Sequence, residues 1–331
     1  MVTRFSLHSV HGGVKNIDEI HQRARRVEEL GYDGIFLGES HLSSIDSFQT
    51  LATCAMLTQR VLLGIAVTNM VFRDPTVLAG AAASLNEISK GRAILGLGTG
   101  DGPVYSQGRK ATPLAEFEKG IATIRDLVQG KPIPFSTGRV GIGFNLRPVP
   151  VYVSAEGPKG LLLGGRSADG VILGTGFDLR VLEWARQRIR KGANEAGRKD
   201  TEVALIAAGM LCVRDDGNEA RRIVRNRIAN RAHHNFRFTF ETVPPEELDG
   251  VKKFMAGFNV MQPMEDRVDP ELVNDYLVRR FSIAGTPKEC IERIEELRDA
   301  QVEHLMLTPA RKVYHETVET FAAKVIPNFR N

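Results

Sequence analysis

The strongest constraint on this chain is an alternation in its hydrophobic pattern. Short apolar runs rich in branched residues are each followed by a longer stretch with apolar residues at three- and four-residue spacing. Parallel strands joined by crossover helices read this way: a strand covered on both faces is apolar throughout, whereas its helix buries only one stripe. The pattern predicts strands at 5–9, 34–38, 61–67, 93–97, 151–155, 170–173, 203–213 and 304–307. Helices are predicted at 17–30, 76–88, 113–128, 180–196 and 215–232, among others. A recurring phrase precedes the strands: Leu30-Gly31-Tyr32-Asp33-Gly34, Ser89-Lys90-Gly91-Arg92 and Ser167-Ala168-Asp169-Gly170. Glycine closing the preceding helix explains the phrase, since it accepts the left-handed cap conformation.

Eight such units can close into a barrel or stay an open doubly wound sheet. With 331 residues and eight strands, the closed form is favoured. The expected fold is α/β: a (β/α)8 TIM barrel with insertions at its C-terminal face, one domain spanning 1–331. Pro244-Pro245, Gly250, Gly257 and Pro263 break the rhythm and place an insertion at about 233–276. A second irregular stretch, 132–150, contains Gly138, Gly141 and Gly143.

Composition narrows the function. Hydrophobic residues at 42% and charged ones at 25% suit a globular enzyme with a large core. Cys54, Cys212 and Cys290 stand far apart with no CxxC spacing, so neither a disulfide framework nor a metal site is expected. The net charge of +4 comes from basic residues spread along the chain, which argues against a nucleic-acid partner. No run of 18 apolar residues occurs, so no membrane partner is expected and the protein is read as soluble and cytoplasmic. Walker, GxSxG, HExxH and EF-hand patterns are missing, which weakens hydrolase and kinase readings.

Catalytic groups of such barrels sit at the C-terminal ends of the strands. These ends are polar here: His8-Ser9, Glu39-Ser40-His41, Thr68-Asn69, Gly98-Thr99-Gly100-Asp101, and Ser154 through Lys159. His41 follows an apolar strand directly and is the candidate proton donor; His8 and Glu39 are candidates for contact with a substrate. The glycines from Gly96 to Gly100 lack GxGxxG spacing, so a dinucleotide fold is disfavoured and close approach of a planar ligand is the better reading. Glu156-Gly157-Pro158-Lys159-Gly160 joins a strand to a helix start, an arrangement suited to anions, with Lys159 adding charge.

Taken in order, these motifs resemble the luciferase-like flavin and deazaflavin oxidoreductase superfamily across essentially the whole chain. Carrying the match are Glu39-Ser40-His41; Leu63 to Asn69 with Arg73-Asp74-Pro75; Leu85 to Arg92 leading into Leu95 to Asp101; Pro150 to Lys159; and Phe281 to Pro287. Val67-Thr68-Asn69 and the Glu-Gly-Pro-Lys loop are most similar to the methylene-tetrahydromethanopterin reductase branch, whose members use coenzyme F420. The resemblance implies a bulged third strand with a non-proline cis peptide between Ala66 and Val67 beside the ring. It assigns cofactor contact to Ser40, Ala66, Val67, Thr68, Gly98, Thr99, Ala155, Glu156, Gly157, Pro158 and Lys159, with His41 facing the ring. Ser40 stands where related enzymes carry an acid, Ile45 where sugar-phosphate and alcohol dehydrogenases carry tryptophan, and Tyr105 where they carry an acid. Those departures argue against copying that dehydrogenase scheme, and Tyr105 joins the substrate candidates.

The function so implied is an F420-dependent oxidoreductase transferring a hydride between the deazaflavin C5 and a small organic substrate. An FMN-dependent two-component monooxygenase using reduced flavin and oxygen is the alternative, and a cofactor-free binding protein the second. A homodimer, and a separate flavin or deazaflavin reductase supplying reduced cofactor, follow from the resemblance alone.

Overall fold

The computed structural model describes residues 3–14, 16–144, 147–262 and 266–330. Pro263, one of the breaks expected to mark the insertion, lies outside the described residues. The first half runs β1 (Arg4–His8), α1 (Ile17–Glu29), β2 (Gly34–Leu37), α2 (Ser47–Leu57), β3 (Leu62–Asn69), α3 (Pro75–Ile88) and β4 (Ala93–Gly98). A four-residue α4 (Gly102–Tyr105) and α5 (Leu114–Val128) lead to an antiparallel hairpin, β5 (Ile133–Phe135) and β6 (Gly138–Val140). Next come β7 (Val151–Ala155), α6 (Pro158–Ser167), β8 (Gly170–Leu173), α7 (Leu179–Glu195) and β9 (Ala204–Val213). The last third holds α8 (Gly217–Thr239), α9 (Leu248–Gly257), α10 (Asp275–Phe281), β10 (Ser282–Gly285), α11 (Pro287–Asp299), β11 (His304–Pro309) and α12 (Tyr314–Lys324).

Eight parallel strands close on themselves in the order β1-β2-β3-β4-β7-β8-β9-β11, the ring completed by β8 on β9 and β11 on β1. This is the (β/α)8 barrel that the alternation predicts. Alternate residues of each strand face the helices or the interior. Phe5 and Leu7 join the shell core under the helices, which turns Ser6 and His8 inward. The interior is a separate cluster of Phe36, Ala66, Ile94, Ile172, Ile206 and Met306.

The helix-glycine-strand phrase resolves into two devices. Gly31 and Gly91 take φ of +84° and +94° and close α1 and α3, as expected. Gly34 and Gly170 instead begin strands, and neither has positive φ. A methyl group at Gly34 would lie 2.5 Å from Ser6 Oγ, and one at Gly170 2.5 Å from the Tyr152 ring, so these two make room inside the barrel. The aspartates before them also have a task. Asp33 accepts the β1 N–H of Phe5 at 2.7 Å and Asp169 the β7 N–H of Val151 at 2.9 Å.

Two expectations need correction around the irregular stretches. Residues 233–239 form the last two turns of α8, because Phe236 and Thr239 extend the helix's buried face past residue 232. Beyond them, β10 was not anticipated: it pairs with Met210–Val213, taking over the edge of β9 that β8 leaves after Ala207. A four-residue apolar run ending in glycine carries too little pattern to be separated from the adjoining helix. Phe236 and Phe254 are buried with Val224, Ile228, Leu277 and Phe281 in a second core. They serve packing, whereas Phe238, on the same helix as Phe236, is 42% exposed.

Candidate active site

Three of the inward positions at the C-terminal rim carry no side chain. Gly38 follows Phe36 on β2, Gly98 ends β4 four residues past Ile94, and Gly174 follows Ile172 on β8. A methyl group at Gly38 would lie 3.3 Å from the Ala66 carbonyl oxygen, and one at Gly98 3.0 Å from Val67 Cγ2. One at Gly174 would strike Glu156 and lie 2.9 Å from Arg231 Nη1. The barrel mouth therefore has a floor of backbone, over which Ala66, Val67, Glu156 and Arg231 close where any Cβ would displace them.

Against this floor stands a bulge in β3. Its register to β4 jumps from Ile65 opposite Leu95 to Thr68 opposite Leu97, three residues against two. The extra residue lets both Ala66 and Val67 pack on the interior cluster. The peptide between them is cis, as the resemblance implies.

His8 fastens this bulge. Its Nε2 lies 2.8 Å from the Ala66 oxygen, and its Nδ1 lies 3.1 Å from Thr308 Oγ1 and 3.0 Å from Ser9 Oγ. With Nε2–H donating to the carbonyl, Nδ1 is left to accept from a hydroxyl. Burial pushes its pKa down to about 4, so the imidazole is neutral near pH 7. His11, beside it, is 6% exposed, places Nε2 3.2 Å from the Gly38 oxygen, and has no partner on Nδ1.

Glu39 turns into the protein. Its side chain is 3% exposed, accepts from the Thr68 hydroxyl, and receives Arg73 Nε at 2.7 Å. The same guanidinium reaches Asp46, which also caps α2 through the Gln49 N–H. Thr68 is fully buried in this network. The carboxylate next to His41 is thus occupied in binding the ends of β2 and β3 together.

His41 itself is exposed on the rim, its Nε2 2.7 Å from Gln107 Nε2 and its ring edge-on to Phe72 at 4.5 Å. Ser40 shapes the turn beneath it, its carbonyl accepting from Ser43 and Ser44. Tyr105, 56% exposed, sits on the same rim in α4. Thr99 lies at the mouth just past β4, its carbonyl holding the Thr112 N–H at 2.8 Å.

The β7–α6 connection forms the opposite wall. Ala155 is buried, Gly157 is the N-cap of α6, Pro158 its first residue, and Lys159 is exposed. No side chain caps this helix start, so the N–H groups of its first turn, together with Lys159, suit an anion. Phe238 covers Gly157, where a methyl group would lie 3.2 Å from its ring. Glu156 points over Gly174 and is held by Arg231 and, at 3.1 Å, by Asn235 Nδ2.

The structure thus gathers His8, Ala66, Val67, Gly98 and Glu156 at the floor and its wall, with Thr99 and the start of α6 beside them. His41 and Tyr105 stand above on the rim, and Glu39 and Thr68 below in their own network. Gly174 and Thr308 were missed, although each lies two residues beyond an interior position and could have been counted. Arg231 and Asn235 carry no such signal, because only folding brings α8 over the barrel. Among the described residues, no cluster of His, Cys, Asp and Glu has the makings of a metal site, and no helix is long and apolar enough to cross a membrane.

A closed parallel (β/α)8 barrel with polar groups gathered at the C-terminal ends of its strands defines the class: a barrel enzyme. More particularly, the chain belongs to the luciferase-like monooxygenase family, whose model matches residues 1–304, and it is an oxidoreductase. It is 30% identical over 290 residues to the 5,10-methylenetetrahydromethanopterin reductase of Methanolobus tindarius, covering 86% of this chain and 87% of that one. It is 27% identical to the F420-dependent glucose-6-phosphate dehydrogenase of Intrasporangium calvum, over 92% of each. The fold is shared with the coenzyme F420-dependent tetrahydromethanopterin reductase of Methanopyrus kandleri, with a TM-score of 0.76 at 22% identity over the whole of both chains.

Proposed function

We propose that this protein is a coenzyme F420-dependent oxidoreductase that moves a hydride between the deazaflavin C5 and a small organic substrate in the barrel mouth. The observation that carries the reading is the β3 bulge at Ala66 and Val67, which packs over Gly98 and is held by His8 at the barrel mouth. The name of the Intrasporangium relative supports F420 as the partner. When bound, the deazaflavin supplies the carbon that gives or takes the hydride.

The chain's own residues orient and exclude. Gly157 and the first-turn N–H groups of α6, with Lys159, would hold the cofactor phosphate; Thr99 and Ala155 flank the ring. His8 keeps the Ala66 carbonyl turned into the barrel, and as a neutral donor it adds no charge beneath the ring. His41, exposed on the rim beside Gln107, would donate a proton to the substrate.

Fluorescence titration of the purified chain with F420 and with FMN tests this. F420 is expected to bind and FMN to bind at least tenfold more weakly, a difference of ~1.4 kcal/mol. Exposed Lys159→Gln is expected to weaken F420 binding about fivefold while its thermal melt stays within a few degrees. Binding of FMN alone, with turnover requiring oxygen, would overturn the deazaflavin reading.

A further inference from the structure

Beside the floor lies a polar wall that the reading above leaves without a task. Glu156, at the end of β7, and Arg231, on α8, meet over Gly174, and a side chain at Gly174 would exclude both. The Glu156 side chain is 10% exposed, whereas Arg231 is 51% exposed. Arg231 Nη1 lies 2.9 Å from where a Cβ on Gly174 would stand, just past the end of β8, which puts the guanidinium at the C-terminal end of the barrel.

Behind Glu156 the wall continues into the insertion. Asn235 donates to Glu156 at 3.1 Å and accepts from Arg280 Nη2 at 3.1 Å and from Thr239 Oγ1 at 2.7 Å. Arg280 is wholly buried, and its other partners are the hydroxyls of Thr239, Thr242 and Tyr276. Among the described residues no carboxylate bonds to it, and its Nε has no partner. The wall therefore sets two arginines against one carboxylate. Glu156 is also shared with Asn235 and lies 3.8 Å from His234 Nε2, while Arg231 bonds it through Nη1. Arg280 is sealed against the rings of Phe236 and Phe281, so the half-exposed Arg231 is the cation of this wall that an arriving anion can reach.

We propose that Arg231 is a substrate-binding residue that docks a carboxylate or phosphate of the organic substrate, with Glu156, Asn235 and Arg280 positioning it. The substrate class is thus an anionic small molecule, an assignment that rests on the oxidoreductase reading of the same mouth. The anionic tail of the cofactor is the other source of the same chemistry, and the experiment separates the two.

Inorganic phosphate is titrated calorimetrically into the chain saturated with F420, so that cofactor phosphate contacts are already filled. The expected result is binding that Arg231→Gln weakens at least tenfold, Arg231→Lys weakens less, and Glu156→Gln tightens by removing the competing carboxylate. F420 affinity should change by less than twofold in Arg231→Gln. If phosphate fails to bind the wild type, or binds Arg231→Gln equally well, the proposal falls. It falls too if Arg231→Gln loses F420 and not phosphate, since Arg231 then serves the cofactor. Should F420 not bind at all, the function reading fails, and the wild-type and Arg231→Gln titrations without cofactor still decide the role of Arg231.

Discussion

Glu39 illustrates how an acid at a strand end can be diverted from chemistry. Buried beside Thr68, it is met by Arg73 Nε at 2.7 Å, and the same guanidinium carries Asp46. Replacing Arg73 by Met leaves that carboxylate with one hydroxyl for company. The expected cost is about 3 kcal/mol, the low end for breaking a buried pair, because Arg73 is itself 26% exposed. Denaturant unfolding measures it, and the double variant Arg73→Met/Glu39→Gln should recover most of the loss; full additivity of the two changes would sink the argument. The motif Glu39-Ser40-His41 was legible in sequence as a polar strand end, yet its three side chains separate in space. One faces inward, one shapes a turn and one reaches the rim. Spacing along a loop does not encode direction, so their roles were not legible.

At the scale of elements, the helices are pinned mainly at their first turns. Asn16, Asp46, Asp74, Asp178, Asp216 and Asn274 each accept a first-turn N–H, and α11 has a full capping box. There Thr286 Oγ1 accepts from Glu289 N at 3.3 Å while Glu289 Oε2 accepts from Thr286 N at 2.7 Å. Glu289 also takes Arg221 Nη1 at 3.0 Å, linking α8 to α11. Thr286→Ala should cost about 1 kcal/mol in thermal or chemical unfolding, and an unchanged midpoint would show that the Arg221 link alone holds this end. The barrel strands were legible in sequence to within two residues. β10 and the last turns of α8 were not, since their pattern makes sense only against the second core that they help to build.

For the whole molecule, burial of neutral imidazoles makes stability depend on acid. His304 is buried inside the barrel, its Nε2 2.7 Å from Ser6 Oγ, and burial pushes its pKa down to about 4; His8 is driven to about 4 by the same cause. An unfolded chain protonates both near pH 6.5, whereas the fold resists until about pH 4. Their contribution is therefore complete above about pH 6.5, declines as the pH falls toward 4, and is exhausted below that. The part due to His304 is about 3 kcal/mol at most. Melting temperatures across pH 4 to 7.5 should fall steeply in the wild type and less steeply in His304→Asn; identical slopes would exclude this origin.

By itself the sequence determined the repeating βα unit, the closure into a barrel and the polar character of the strand ends, because hydrophobic period and turn chemistry act locally. It also singled out Gly98 and the Gly157-Pro158-Lys159 helix start as candidates for ligand contact. Only the tertiary structure decided which glycines share one floor, which histidine lies beneath it and which stands on the rim. It alone brought Arg231 and Asn235 from α8 to Glu156 on β7, and sealed Arg280 behind them. Those relations depend on the phase of each strand at the mouth and on how the insertion packs across it, and neither is written in the spacing of residues along the chain.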